Sequence, residues 1–268
     1  MASFSIVSNI ASVNAQANLQ NTSIGLNKAL TRLSSGLRIN MSGDDAAGLA
    51  VANQYRSEVA ILNQGIRNAN DGLSVLQTAD GALNNISTLL DRLATLATQA
   101  SSTSNGVDIT KLSFEYGQVI AEIDRQAAVA GLDTAMNFSV FVSSETVVAD
   151  GVITGTVAAA DSTTLGLSST SFADAASAQT ALGQVTAAID SLGDVQNSVG
   201  TLENRLTFAI SLAQSQIVNT KAAESRIRDA NIAEESANMT RFNILSQSGI
   251  AALAQANQTS AAVLALLR

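Results

Sequence analysis

From Asp44 to Ala100 apolar residues recur in steps of four and three, from Tyr55, Val59, Leu62 and Ile66 to Leu90, Leu93 and Ala97. That period lines one face of an α-helix. The chain contains no proline, so nothing in its covalent structure stops a helix once begun. If continuous, this one is roughly 85 Å long at about 1.5 Å per residue. Leu73, Leu76 and Ala79 break step with two threes in a row, which locally overwinds a coiled coil. The same period returns from Thr180, through Leu182, Val185, Ile189 and Leu192 to Ala213, with its own double three at Ile189, Leu192 and Val195. Folded antiparallel, the two breaks are expected at one level, where matched overwinding keeps the stripes in contact. Aromatics make up only 3% of the chain, too few for a compact bulky core, and an elongated bundle fits better.

Around this run the other elements fall into place. Ser34, Ser35 and Gly36 interrupt a first helical segment, and Gly43 precedes the long one. Ser42 is placed to cap the long helix, with Asp44 and Asp45 in its first turn, where carboxylates favour the free N–H groups. As an acid and base pair, Asp44 and Asp45 carry far less weight than as helix-start residues. The polar turn Ser101 to Asp108 leads to a third helix with Leu112, Tyr116, Val119, Ile123 and Ala127 on one face, ending near Gly131 and folding back on its predecessor. Phe138, Val140 and Val142 alternate with Ser139, Phe141 and Ser143. Glu145 to Ala149 leads through Asp150-Gly151 into Val152 to Val157, a hairpin signal of the type I′ kind. Ala158 to Ala178 has no strong period and reads as an exposed loop.

Charge is distributed unevenly. Lys and Arg total 14 against 22 Asp and Glu, a formal net charge of −8, yet no charge occurs from Met1 to Asn27 or between Arg241 and Arg268. The acidic balance, without a basic run, argues against nucleic acid as partner. With no His and no Cys, hydrolytic triads and zinc sites in their usual forms are excluded, no cofactor is implied, and no residue constellation points to an enzyme. The amino terminus lacks a charged signal region, its first cation being Lys28, and Asn, Gln and Ser punctuate both uncharged ends too often for a membrane span. Those ends are weakly amphipathic helices with no third element left to cover them, so an interface between molecules is the expected cover. Ile6, Ile10, Val13 and Ile24 at one end, and Leu253, Val263, Leu264 and Leu267 at the other, are the expected assembly residues.

Long motifs near both termini resemble a known family. RLSSGLRIN at Arg32 to Asn40, DDAAGLAVAN at Asp44 to Asn53 and RNANDGLSVLQTADGALN at Arg67 to Asn84 are similar to the amino-terminal region of bacterial flagellin. SRIRDANIAEESANMTRFNILSQSG at Ser225 to Gly249 and AQANQTSAAVLALLR at Ala254 to Arg268 are similar to its carboxy-terminal region. The resemblance implies a structural subunit of the flagellar filament, self-assembling into a helical tube used for motility; its nearest rival is a hook-filament junction protein of the same fold. A membrane-active secreted protein is the rival of another class, against which the Asn and Gln density speaks. The fold implied is mainly α, an elongated antiparallel helical bundle with a small β-hairpin at about 138–157 and paired helical termini. Residues 1–43 and 225–268 would form the inner domain with its joint, and residues 44–224 the outer bundle.

The same resemblance implies export unfolded without a cleaved signal, an extracellular location, and partners beyond other copies of the chain: export machinery and chaperone, cap and junction proteins. It also places Leu90, Arg92, Leu96, Ala97 and Gln99 on the surface read by the animal flagellin receptor, with Ala94 and Thr95 replacing a basic and an acidic residue common there, so that recognition is weakened. Glycosylated flagellins make the Ser and Thr cluster from Ser139 to Ser171 a candidate O-glycan segment, whereas the scattered Asn-x-Ser/Thr sequons reflect composition. Two departures stand out. The end lacks a proline after Ala256-Asn257-Gln258, which allows a longer last helix, and Arg228 stands where the family commonly has an acid.

Overall fold

A computed structural model describes residues 9–102, 108–143, 151–167 and 171–266, the side chains of 259–266 excepted. Five helices and one hairpin make up its regular structure among these residues. They are α1 (Ile10–Ser35), α2 (Ala46–Ser101), α3 (Ile109–Val129), β1 (Met136–Phe141), β2 (Val152–Val157), α4 (Ala175–Arg228) and α5 (Ile232–Leu266). They fold into two units, Met1–Ser57 with Asn219–Arg268, and Glu58–Val218. The expected boundaries near residues 44 and 224 lie close to helix ends, whereas the units divide within α2 and α4.

Unit 58–218 holds the continuous core. Along α2 the core stripe runs through Val59, Leu62 and Gly65, two threes in a row, and then Ala69, Gly72, Leu76, Ala79, Leu83, Ile86, Leu90, Leu93, Ala97 and Ala100 in regular alternation of four and three, with Ala82 and Leu96 buried beside it. Along α4 it runs through Ala178, Ala181, Val185, Ala188, Leu192, Val195, Val199, Leu202 and Leu206, again in regular step. The double threes expected at Leu73 to Ala79 and at Ile189 to Val195 are therefore absent from those places. Gly72, not Leu73, and Ala188, not the 37% exposed Ile189, occupy the core positions. The Glu203 carboxyl is pushed up by burial and, secondarily, by the Asp80 charge.

The glycines in the α2 stripe have a purpose visible in the hairpin. β1 and β2 pair antiparallel, with Met136 opposite Val157 and Phe141 opposite Val152, and Val142 N–H donates to the Gly151 carbonyl at 2.9 Å. β2 thus takes Met136–Phe141 as its partner. The stretch from Glu145 to Ala149 and the Asp150 half of the expected Asp150-Gly151 turn lie outside the described residues. β1 lies directly on α2. A Cβ added at Gly65 would stand 2.9 Å from Val142 Cα, and one at Gly72 would stand 2.8 Å from Val140 Cγ2 and 2.9 Å from Phe138 Cζ. On the other side Gly155 of β2 meets Leu202, and Arg205 Nη1 donates to the Thr154 carbonyl at 3.0 Å.

The stretch after β2 is not an exposed loop. Ala160, Leu167 and Phe172 are buried, with the Phe172 ring edge-on to Tyr116 at 5.0 Å and 68°. Ser162, in the middle of the candidate O-glycan segment, is itself buried. Its N–H and hydroxyl donate to the Asp124 carboxylate at 2.8 and 3.0 Å, and Ala160 N–H donates to the Leu132 carbonyl at 2.9 Å. Small residues without a period leave no hydropathy signal, yet they fit tightly over α3.

Gly65→Ala and Gly81→Ala provide a matched pair within α2. Each gains up to about 1 kcal/mol of helix propensity. Gly81 is open to solvent, whereas Gly65 adjoins the Val142 backbone, where overpacking costs about 1–3 kcal/mol. Urea unfolding should find Gly81→Ala neutral or stabilised and Gly65→Ala destabilised; equal shifts would refute the close approach.

Candidate assembly surface

Unit 1 is built on a helix pair with almost no core. α1 and α5 run antiparallel in a single register. Asn9 Nδ2 donates to the Ala256 carbonyl at 3.0 Å, Leu19 meets Gly249, Gly25 meets the Phe242 ring, and Arg32 Nη1 meets Glu235 Oε1 at 3.0 Å. On α1 the residues turned inward are mostly small or polar, Ser12, Ala15, Leu19, Thr22 and Ala29, and Ala29 alone is fully buried there. Ordering each of the 26 residues of α1 costs about 1–2 kcal/mol of backbone entropy. A single buried alanine offsets little of that.

The strongly apolar residues point elsewhere. Ile10, Val13 and Ile24 are 62%, 62% and 60% exposed. With Ala17 they form a second heptad-spaced stripe, separate from the α5-facing one. On α5, Ile244, Leu245 and Ile250 are exposed as well, and Ala233, Ala237, Thr240 and Ile244 line one shallow groove. Of the expected assembly residues, then, Ile10, Val13 and Ile24 face out. Leu253 is half-buried and in step with Phe242, Ser246, Gly249 and Ala256 on the side facing α1, so it serves the pair instead. Ile6 and Leu267 lie outside the described residues, as do the side chains of Val263 and Leu264. α5 itself continues to Leu266, the longer last helix expected without a proline.

At the joint both chains leave the helix together. Gly36 caps α1 in the left-handed region at φ 71°, a conformation glycine adopts without a Cβ penalty. Its carbonyl accepts from Ala230 N–H at 2.9 Å and the Arg228 carbonyl accepts from Arg38 N–H at 2.6 Å, around an antiparallel bridge of Leu37 with Asp229. Arg38 Nη2 donates to the Ile227 carbonyl at 2.8 Å. Arg228 keeps a charge partner, Glu224 at 3.9 Å. The cap of α2 is Asp45, whose Oδ1 accepts from Gly48 N–H at 2.9 Å, not Ser42, which lies in a turn. Asp44 closes that turn instead: it accepts from the Asn40 and Met41 N–H groups at 3.2 and 3.3 Å and pairs with Lys28 Nζ of α1 at 2.8 Å.

The expected receptor surface needs correction. Leu90, Leu96 and Ala97 are 0%, 1% and 0% exposed, because they belong to the apolar stripe of α2 and its flank. Arg92 and Gln99 face solvent, with Arg92 Nε donating to Glu115 Oε1 of α3 at 3.0 Å. Among the described residues no group of His, Cys, Asp and Glu side chains is arranged to hold a metal, and no helix is long and apolar enough to cross a membrane.

Known proteins share long stretches of sequence with this chain. Residues 6–138 match the bacterial flagellin N-terminal helical region and residues 182–267 the bacterial flagellin C-terminal helical region. The chain is 38% identical to the flagellin of Halalkalibacterium halodurans, over 97% of this chain and 98% of that one. It is 35% identical to the flagellar filament 33 kDa core protein of Treponema phagedenis, again over 97% and 98%. A crystal structure of Bacillus cereus flagellin aligns with 59% of this chain and 94% of its own, with a TM-score of 0.48 and 33% identity.

The Lys28 ammonium first, then the Asn40 and Met41 amides, pull the Asp44 carboxyl from 3.8 to about 2 against the opposing effect of burial. A carboxyl depressed in the folded state binds its proton more readily when unfolded. Its contribution is therefore complete above 3.8 and is lost as pH falls from there through about 2. Carbon-13 titration should show Asp44 with a midpoint near 2 that rises in Lys28→Met; an unchanged midpoint would mean that the Lys28–Asp44 pair does not form.

Proposed function

Because the chain belongs to the bacterial flagellin family and is a structural subunit of a flagellar filament, we propose that its paired ends build the inner tube of that filament. Residues of about 1–34 and 232–268 supply the tube, and the bundle with its hairpin supplies the outer layer. One observation carries this reading: Ile10, Val13 and Ile24 are exposed on a helix that has no charge before Lys28. An apolar stripe without charge packs against other copies without burying unpaired ions, and the Asn, Gln, Ser and Thr between its members hydrogen-bond across contacts or face a wet channel. Export unfolded, delivery by export machinery and chaperone, and meetings with cap and junction proteins follow from the same family reading.

Recognition by the animal flagellin receptor is weakened in this reading. Only Arg92 and Gln99 of the expected contacts face solvent, and Ala94 and Thr95 supply no charge beside them. A reporter-cell response equal to that of a strongly recognised flagellin would contradict this.

The assembly proposal is tested by Ile10→Asn with Val13→Asn and by a fragment of residues 58–218. The double substitution should abolish seeded filament growth while leaving the cooperative unfolding of the outer unit unchanged. The fragment should melt cooperatively and never polymerise. Normal filaments from either protein, or an unfolded fragment, would overturn the division of roles.

A further inference from the structure

We infer that the Arg32–Glu235 ion pair sets the register in which the two terminal helices meet, and hence which faces they offer to neighbouring copies. Beyond the backbone bonds of the joint, the facing side chains of the two helices have little else to choose one register from another. The α1 positions turned toward α5 repeat at heptad spacing, as Ser12, Leu19 and Leu26, and those of α5 as Phe242, Gly249 and Ala256. Apart from the Phe242 ring over Gly25, a slide of one heptad exchanges small and aliphatic residues for others of the same kind. It does not do so for charge. α1 carries no cation before Lys28, and α5 no charge beyond Arg241.

Glu235 is one of few buried polar side chains, with its residue 8% exposed. Its neighbour Glu234 is exposed and satisfies the helix dipole equally well, so the dipole does not explain why Glu235 turns inward. Arg32 does: its Nη1 lies 3.0 Å from Glu235 Oε1, with the two side chains 23% and 10% exposed. After a slide of one heptad Arg32 would lie level with Phe242 or with Arg228, and no longer with Glu235, so the pair would be broken. The pairing is also incomplete, since Arg32 Nε is buried without a partner. An imperfectly satisfied buried pair adds little stability over apolar residues of the same size, and its use lies in excluding alternatives. The joint sits one turn away, where Gly36–Ala230 and Arg38–Arg228 backbone bonds continue the same alignment.

This deepens the filament reading and rests on it. The chain has no cysteine, so register can be read by engineered disulfides. Leu19 Cβ lies 4.0 Å from the Cβ position of Gly249, within the range a disulfide needs. Leu19→Cys with Gly249→Cys reports the observed register; Ser12→Cys or Leu26→Cys with Gly249→Cys reports a slide of one heptad either way. In filaments of otherwise unaltered protein the first pair should cross-link at least about tenfold more than the other two. Arg32→Met with Glu235→Leu should keep helicity but shift cross-links toward the slid pairs, and the exchange Arg32→Glu with Glu235→Arg should restore the original pattern. If the apolar variant polymerises with the 19–249 preference intact, or the exchange fails to restore it, the inference is wrong. An apolar variant that does not polymerise supports the inference only if the exchange variant does, with 19–249 cross-links; failure of both counts against it. Failure of the unaltered protein to form filaments would instead overturn the filament reading.

Discussion

Two antiparallel helices can cover only one stripe of each other, and in α1 and α5 that stripe is made of the wrong residues for a core. Ser12, Ala15, Thr22 and Ala29 face inward with Leu19 and Leu26, while Ile10, Val13 and Ile24 face outward. Burying a large aliphatic side chain contributes about 1.5–3 kcal/mol, and the terminal pair forgoes most of that within a single molecule. In the proposed filament its order depends on surfaces that another copy supplies. The rest of the chain is arranged to make this safe. Unit 58–218 has its own core from Val59 to Ile217, and on the proposed division of roles it folds alone while the ends wait for partners.

The outer unit combines a large aliphatic core with close backbone approach. Gly65 and Gly72 let β1 rest on the α2 backbone, Gly155 does the same for β2 on Leu202, and Ala188 and Ala181 keep α4 in step. The joint extends the principle with hydrogen bonds. Between α1 and α5 the chains pair through Gly36, Leu37 and Arg38 against Arg228, Asp229 and Ala230, while Asp44 ties Lys28 to the turn before α2.

Much of this was legible in the sequence, and what was not has a physical reason. The helices, the hairpin strands, the joint at Gly36 and the uncharged ends all announced themselves through period, glycine and charge. The double threes were artefacts of ranking Leu73 above Gly72 and Ile189 above Ala188 by hydrophobicity, when contact distance decides which residue is buried. The same habit hid Ala160 and Leu167 in an apparent loop, whereas Leu90 and Leu96 were placed on a surface by family resemblance, against the period that already put Leu90 in the apolar stripe. Ser42 and Asp45 both suit a helix cap, and only the turn closed by Asp44 selects between them. The outward stripe on α1 was visible as an apolar series; that it faces away from α5 was not, because nothing in α1 alone says where its partner lies.

Hydrogen exchange followed segment by segment in free monomer and in filament tests the central claim most directly. Backbone amides of the buried stretches of α2, α3 and α4 in residues 58–218 should be equally protected in both states. Those of α1 and α5 should exchange freely in the monomer and become protected only in the filament. Strong protection of α1 and α5 in the monomer, matching that of the outer unit, would contradict the account, since it would mean that the terminal pair is stable without its neighbours.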